Sequence, residues 1–172
     1  MTTHAPPELQ PHGASMPETS AVRPAAWLEY LSVLYLRVAL GAAFLSAVAD
    51  RFGLWGSPGQ RNVSWGDFPQ FIQYTAHVNS FLPAGVAPTL AWAATAGELT
   101  LGIALLLGVW PRLVATSSAA LLALFALAMT VSLGVKQPLD YSVFSASAGA
   151  LLLAVHQLRP DRCSARAEAQ RS

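Results

Sequence analysis

Charged side chains are scarce in this sequence. Only 11% of its 172 residues are Asp, Glu, Lys or Arg, whereas 53% are hydrophobic. A soluble domain carries about a quarter charged residues, so the deficit indicates a protein that lies in lipid. The formal net charge is only +1. The chain therefore lacks the strongly basic surface that nucleic-acid binding requires, and we expect no nucleic-acid partner.

Cysteine is also nearly absent, since Cys163 in the polar C-terminal segment is the only one. A single thiol excludes an intrachain disulfide, a CxxC redox pair and a thiolate metal cluster. No pair of His or carboxylate residues in the apolar segments has the helical spacing of a metal or haem site. The chain has no glycine-rich phosphate loop and no recognisable Ser-His-Asp arrangement. We predict no metal site and no self-contained catalytic centre, which leaves open whether the protein belongs to an enzyme.

Four long apolar runs dominate the chain. Each has close to the ~20 residues that span a hydrocarbon core of about 30 Å, and backbone in lipid must satisfy its own hydrogen bonds as helix. The runs cover residues 28–49, 88–109, 113–134 and 139–158. We therefore predict an all-α fold, a four-transmembrane-helix bundle over residues 27–158. A disordered tail (1–26) and a basic tail (159–172) flank it.

Basic residues are distributed unevenly about these runs. Three lie on one side of the predicted bundle and six lie on the other. The three are Arg51, Arg61 and Lys136, and the six are Arg23, Arg112, Arg159, Arg162, Arg166 and Arg171. Because cytoplasmic loops carry the excess of Lys and Arg, we expect both termini to be cytoplasmic and the loop 50–87 to lie outside.

The loop 50–87 contains a pattern typical of a short amphipathic helix. Asp67 suits its N-cap and Pro69 suits its first turn. Apolar or weakly polar residues recur at helical spacing on one face, namely Phe68, Phe71, Ile72, Thr75 and Val78. This pattern predicts an interfacial helix that covers the outer end of the bundle. A loop that merely packs there is the alternative.

Arg37 and Glu98 are the two charges nearest the middle of an apolar run. An arginine at the centre of a bilayer costs about 3 kcal/mol or more, so it requires a partner. Arg37 lies near the midpoint of the first run and Glu98 near that of the second, which runs antiparallel to it. We predict that they pair, either as a clamp between two helices or as a polar site for a ligand or a proton. Residues expected to form the wall of such a pocket are Phe44, Trp92 and Thr95.

A second polar group is predicted at the outer ends of the helices. Its members close the first and third runs, open the fourth, or belong to the amphipathic helix. They are Asp50, Arg51, His77, Lys136, Asp140 and Tyr141. They form either an ordinary solvated interface with local ion pairs or the rim of a cavity.

The order of short motifs along the chain resembles the DoxX/DoxD family of small four-helix bacterial membrane proteins. Residues 36–45 (LRVALGAAFL) resemble the family's L-R-x-x-x-G-x-x-F opening, and 97–102 (GELTLG) its E-x-x-x-G segment. Residues 105–108 (LLLG), with Pro-Arg at 111–112, also match the family. Residues 140–142 (DYS) are similar to a segment of one large subgroup. One departure is that many relatives end the first helix with G-x-x-K. Here Asp50 and Arg51 stand in that region.

This resemblance implies an inner-membrane subunit of a quinone-linked or redox-stress oxidoreductase complex. The matched depth of one base and one acid adds a hypothesis for such a subunit: Arg37 would hold a quinone carbonyl or an anionic head group, Glu98 would relay a proton, and a partner subunit would supply the redox centre. The alternatives are a non-enzymatic membrane scaffold and a small-metabolite permease. Small residues on the fourth run offer a packing face for a homo-oligomer: Ser142, Ser145 and Gly149.

Overall fold

The computed structural model describes residues 26–157, and all its regular elements are helical. They are α1 (Ala26–Arg51), α2 (Phe68–Val78), a 3₁₀ turn (Ala84–Val86), α3 (Ala87–Leu107), α4 (Pro111–Leu133), α5 (Lys136–Asp140) and α6 (Val143–His156). The all-α prediction is confirmed for this part of the chain. The predicted tails lie almost wholly outside the described residues.

Within residues 26–157, three helices are long and apolar enough to cross a membrane: α1, α3 and α4. The fourth predicted span is different, because residues 139–158 do not form one helix. Ser142 has a left-handed backbone with φ 55° and separates α5 from α6. The fourteen residues of α6 extend only about 21 Å, short of the ~30 Å hydrocarbon core.

The helices form two closely packed pairs. α1 packs most extensively on α3 and α4 on α6, whereas contacts between the pairs are fewer. Glycine brings α1 and α3 together: a Cβ on Gly41 would lie 3.0 Å from the carbonyl oxygen of Gly102. In the second pair, Ser147 Oγ donates to Ala119 O at 2.9 Å. Gly149 packs against Leu36 of α1, so it contributes to the fold of this chain rather than to a free oligomer face.

One half of the bundle is filled where the two pairs meet. We call the end where α1 finishes and α3 starts the α2 end. Towards the opposite end, a cluster of buried side chains from α1, α3, α4 and α6 closes the gap between the pairs. It comprises Leu40, Phe44, Leu105, Val114, Ala115, Ala119, Ala150, Leu153 and Ala154. Towards the α2 end the pairs stay apart, and α2 lies across the gap in contact with α1, α3 and α4.

The helix predicted in the loop is present as α2. Asp67 accepts a hydrogen bond from Gln70 N at 2.8 Å, as expected of an N-cap, and Pro69 lies in the first turn. Its buried residues, Phe71, Thr75 and Val78, belong to the predicted apolar face. The periodicity therefore predicted the helix and its inward face correctly. Its position at a membrane interface stays a prediction.

Candidate functional site

Arg51, the last residue of α1, is the centre of the buried polar group at the α2 end. It is 2% exposed. Its Nη2 donates to both carboxylate oxygens of Glu98, at 2.8 and 2.7 Å, and its Nη1 donates to Thr95 Oγ1 at 2.9 Å. Glu98 is 3% exposed. A charged pair so far from water persists only when further hydrogen bonds accompany it, and Thr95 supplies one.

Two aromatic rings cover the same guanidinium. Its central carbon lies 3.7 Å from the ring centre of Phe71 on α2 and 5.2 Å from that of Trp65 in the preceding loop. These are cation–π distances, and such contacts gain strength in desolvated surroundings. Arg51 thereby connects α1, α2, α3 and the loop. We refer to Arg51, Thr95, Glu98, Phe71 and Trp65 as the Arg51 cluster.

Asp50 holds the loop that carries Trp65. It is 5% exposed, and its Oδ2 accepts hydrogen bonds from the backbone N–H groups of Ser64 and Trp65, at 3.1 and 2.8 Å. The two adjacent charged residues therefore bind different parts of the chain: Asp50 binds the loop, and Arg51 binds α3. Of the two alternatives for these residues, the ordinary solvated interface is wrong, because α2 covers the end of α1 and both side chains are buried.

The predicted pairing of Arg37 with Glu98 is wrong because of the register between α1 and α3. Gly41 and Gly102 lie level at the crossing. Arg37 is four residues from the crossing in one direction, and Glu98 is four residues from it in the other. At 1.5 Å per residue their Cα atoms are about 12 Å apart along the bundle.

Side-chain direction increases this separation. Helical side chains lean towards the N-terminus of their own helix. In the antiparallel α1–α3 pair, Arg37 and Glu98 therefore lean away from each other. Arg51 and Glu98 lean towards each other, which lets the long arginine reach the carboxylate.

Arg37 instead caps the C-terminal end of α3. Its Nε and Nη2 donate to the carbonyl oxygen of Leu105, at 3.0 and 2.9 Å. The last carbonyls of a helix have no intrahelical donor, and a cation there complements the helix dipole. Gly108, with φ 74°, ends the helix, and a Cβ on it would lie 2.2 Å from Arg37 Nη2. Arg37 therefore has a structural partner.

A cleft of about 1380 Å³ opens between the two helix pairs beneath α2. Its inner part is apolar and is formed by α1, α3, α4 and α6. Its mouth is polar and is formed largely by α2. Residues at the inner part include Leu40, Phe44, Leu121 and Phe125, and residues at the mouth include Gln73, Tyr74, His77 and Tyr141. Arg51 and Glu98 form part of one wall.

Only some of the predicted wall and rim residues line the cleft. Phe44 lines the cleft, whereas Thr95 stands behind it, bonded to Arg51. Trp92 does not line it, since it is 56% exposed and packs on Phe68 with tilted rings whose centres are 4.3 Å apart. Of the predicted rim, His77 and Tyr141 lie at the mouth. Lys136 and Asp140 pair with each other in water beside it.

Tyr74 also lies at the mouth, although it was not among the predicted rim residues. Burial, and to a smaller extent the neighbouring Tyr141, raises the pKa of Tyr74 above its ordinary value. Its hydroxyl therefore stays protonated and able to donate a hydrogen bond at neutral pH. Its position opposite the apolar face of α2 gave the only sequence signal.

Comparison with known protein families adds one result to this geometry. A sequence model of the DoxX family matches residues 32–133, which is more than half of the 172 residues. This chain belongs to the DoxX family. Neither a comparison with curated proteins nor one with solved structures found a match. The DoxX chain is accordingly a membrane protein with several candidate spans, and its apolar helix surfaces contact the lipid bilayer.

The DoxX match runs from the first turns of α1 to the end of α4. It includes Arg37, the Arg51 cluster and α2, and it excludes α5 and α6. The family region of this DoxX chain thus contains the interactions of both Arg37 and Arg51 with α3 and most of the cleft. Tyr141, which completes the mouth, lies beyond it.

Proposed function

We propose that this DoxX chain is a bacterial inner-membrane subunit of a quinone-linked or redox-stress oxidoreductase complex. In this proposal the cleft beneath α2 holds the quinone, and both termini face the cytoplasm. The observation that carries the proposal is the cleft itself, with an apolar interior within the spanning helices and hydrogen-bonding side chains at its mouth. Ligand sites commonly combine a mainly apolar lining with a few placed polar groups.

The polar groups around the cleft have different roles in this proposal. Tyr74 and Gln73 at the mouth offer donors to a carbonyl oxygen. The Arg51–Glu98 pair is already engaged on both sides, so in this proposal it holds the wall in place. Among residues 26–157, no three His, Cys, Asp or Glu side chains come together as a metal site requires. We therefore assign the electron-transferring group to a partner subunit.

The packed half of the bundle favours a binding site over a permease. Transport requires a path through the whole protein, and the buried cluster around Leu105, Ala115 and Leu153 fills the half opposite α2. The cleft thus ends inside the bundle. A ligand that enters at the α2 end would leave by the same end.

A membrane scaffold is the second candidate, and the Arg51 cluster favours it. Both carboxylate oxygens of Glu98 and both terminal nitrogens of Arg51 have partners. A clamp with this geometry joins three helices whether or not a ligand is present. In this alternative the cluster holds α2 as a docking element for another protein. Homo-oligomerisation also stays a prediction.

Quinone titration of the purified chain in lipid nanodiscs tests the first candidate. Trp65 lines the cleft, so bound quinone should quench its fluorescence. We expect saturable quenching that is lost in Trp65→Phe. Loss of one hydrogen bond in Tyr74→Phe should weaken binding about three- to tenfold, while Tyr30→Phe, on exposed α1 surface, should bind as the wild type. Quenching without saturation, or equal affinity in Tyr74→Phe, would reject the quinone site.

The redox assignment requires a second measurement. Tagged full-length chain isolated from native membranes should carry a quinone-reducing activity. If the preparations bind quinone but never contain such activity, the chain is a quinone-binding membrane protein. Its assignment as a subunit of an oxidoreductase complex is then rejected.

A further inference from the structure

The cleft beneath α2 has a charge balance that restricts what it can hold. Of the described residues that line it, one is a cation, Arg51, and one is an anion, Glu98, and these two are paired. The other side chains at the mouth are uncharged polar groups or His77. Among the described lining residues, no Lys, Arg, Asp or Glu beyond the Arg51–Glu98 pair could serve as a counter-ion for a charged head group.

The shape of the cleft indicates a chain-bearing ligand. Its lining on α4 runs from Leu121 to Val131, which is about 15 Å of helix and about half of a ~30 Å hydrocarbon core. Alanines on three helices make room along this length: Ala43, Ala47, Ala93, Ala94 and Ala128. Packed side chains close the far end at Leu40 and Phe44. The cleft is thus a one-ended apolar slot with a polar mouth.

We propose that the cleft takes a neutral membrane amphiphile, with its apolar chain between the helix pairs and oxygen acceptors of its head at Gln73, Tyr74 and His77. The inference deepens the proposed function and rests on the same cleft being a ligand site. It adds the electrical character of the ligand and the end from which the ligand enters. A charge that entered the slot without a counter-ion would cost far more to bury than a hydrogen-bonded neutral head, so we expect the cleft to prefer neutral amphiphiles over anionic and cationic ones.

Photo-crosslinking of the full chain in phosphatidylcholine nanodiscs tests this ligand class. The probe is a monoacylglycerol with a diazirine in its acyl chain. Three competitors share that chain length: a monoacylglycerol, an alkyl sulfate and an alkyltrimethylammonium. We expect saturable labelling of Leu121 and Phe125, with only non-saturable labelling of lipid-facing Leu152. The neutral competitor should displace the probe at a mole fraction at least about tenfold lower than either charged one.

Two variants on α4 provide a matched control. Ala128→Phe fills the slot and should abolish saturable labelling. Ala120→Phe makes the same change at an exposed position of the same helix outside the lining and should label as the wild type. Equal loss in both variants, or equal labelling in both, would overturn the proposed position of the chain.

A charge variant tests the selectivity directly. Glu98→Gln removes the anion and leaves Arg51 as an unpaired cation in the wall. The alkyl sulfate should then compete at least about tenfold better, while the neutral competitor changes less than about threefold. If the sulfate already competes as well as the neutral amphiphile in the wild type, neutral selectivity is wrong even if quinone binds. If a neutral monoacylglycerol binds and quinone does not, the proposed redox function alone is rejected. Because Glu98→Gln can also impair folding, the wild-type comparison by itself decides the question.

Discussion

Two double-mutant cycles can measure which arginine, Arg51 or Arg37, is the partner of Glu98. Arg51→Met removes the guanidinium but keeps an unbranched side chain, and Glu98→Gln removes the charge but keeps the shape. Arg37→Met serves as the matched control, since Arg37 is also an arginine of α1 bonded to α3. Each cycle compares the two single variants with the double variant.

The structure sets the expected magnitudes. Arg51→Met leaves a carboxylate that is 3% exposed without its cation, and breaking a buried pair in this way costs about 3–5 kcal/mol. The Arg51–Glu98 coupling energy should be about 1.5–3 kcal/mol, as for hydrogen bonds between charged groups. Arg37→Met should cost about 1.5–3 kcal/mol through loss of the bonds to Leu105 O. Its coupling to Glu98 should stay below about 0.5 kcal/mol, as for distant sites.

Reversible unfolding in mixed micelles by increasing dodecyl sulfate, followed by circular dichroism, gives the free energies of unfolding. The pairing of Glu98 with Arg51 is refuted if Arg37 couples to Glu98 as strongly as Arg51 does, or if neither arginine couples to it. The first result would restore the pairing expected from sequence alone. The second would mean that the Arg51 cluster does not stabilise the fold.

Three further predictions concern the parts around the cleft. Gly108→Ala should destabilise the protein in the same unfolding assay by more than the ~1–2 kcal/mol of a left-handed backbone, because its Cβ would displace Arg37; a cost within that range would contradict the close contact. Asp50→Asn weakens the acceptor for two backbone N–H groups, so limited proteolysis should cut residues 52–66 faster while the helical circular dichroism persists. The raised pKa of Tyr74 means that the folded state keeps the phenol proton longer than the unfolded state. Its contribution to stability is therefore complete below the ordinary tyrosine pKa of about 10 and is lost as the pH rises through the folded-state value. The free energy of unfolding of Tyr74→Phe should therefore fall less steeply with rising alkaline pH than that of the wild type. Equal slopes in the two proteins would contradict this assignment.

The sequence also predicted α2 correctly, for a local reason. An N-cap, a proline in the first turn and an apolar period of 3.6 residues all lie within one short segment, and Asp67 and Phe71 behave as that pattern requires. The break between α5 and α6 has no such signal. The fourth run was expected to be helical from residue 139, but Ser142 adopts a left-handed backbone that its residue type does not favour, so the local sequence could not predict the break.

What the sequence determined by itself is the membrane class, the apolar segments that form α1, α3 and α4, and the need of Arg37 and Glu98 for partners. Composition and hydropathy are properties of the chain, and the penalty for a buried charge does not depend on the fold. Tertiary structure decided which partner each residue has. The Gly41–Gly102 crossing fixes the register of α1 on α3, and that register directs Arg51 to Glu98 and Arg37 to the end of α3. Helix midpoints do not contain this information, because register depends on which small residues let two backbones touch.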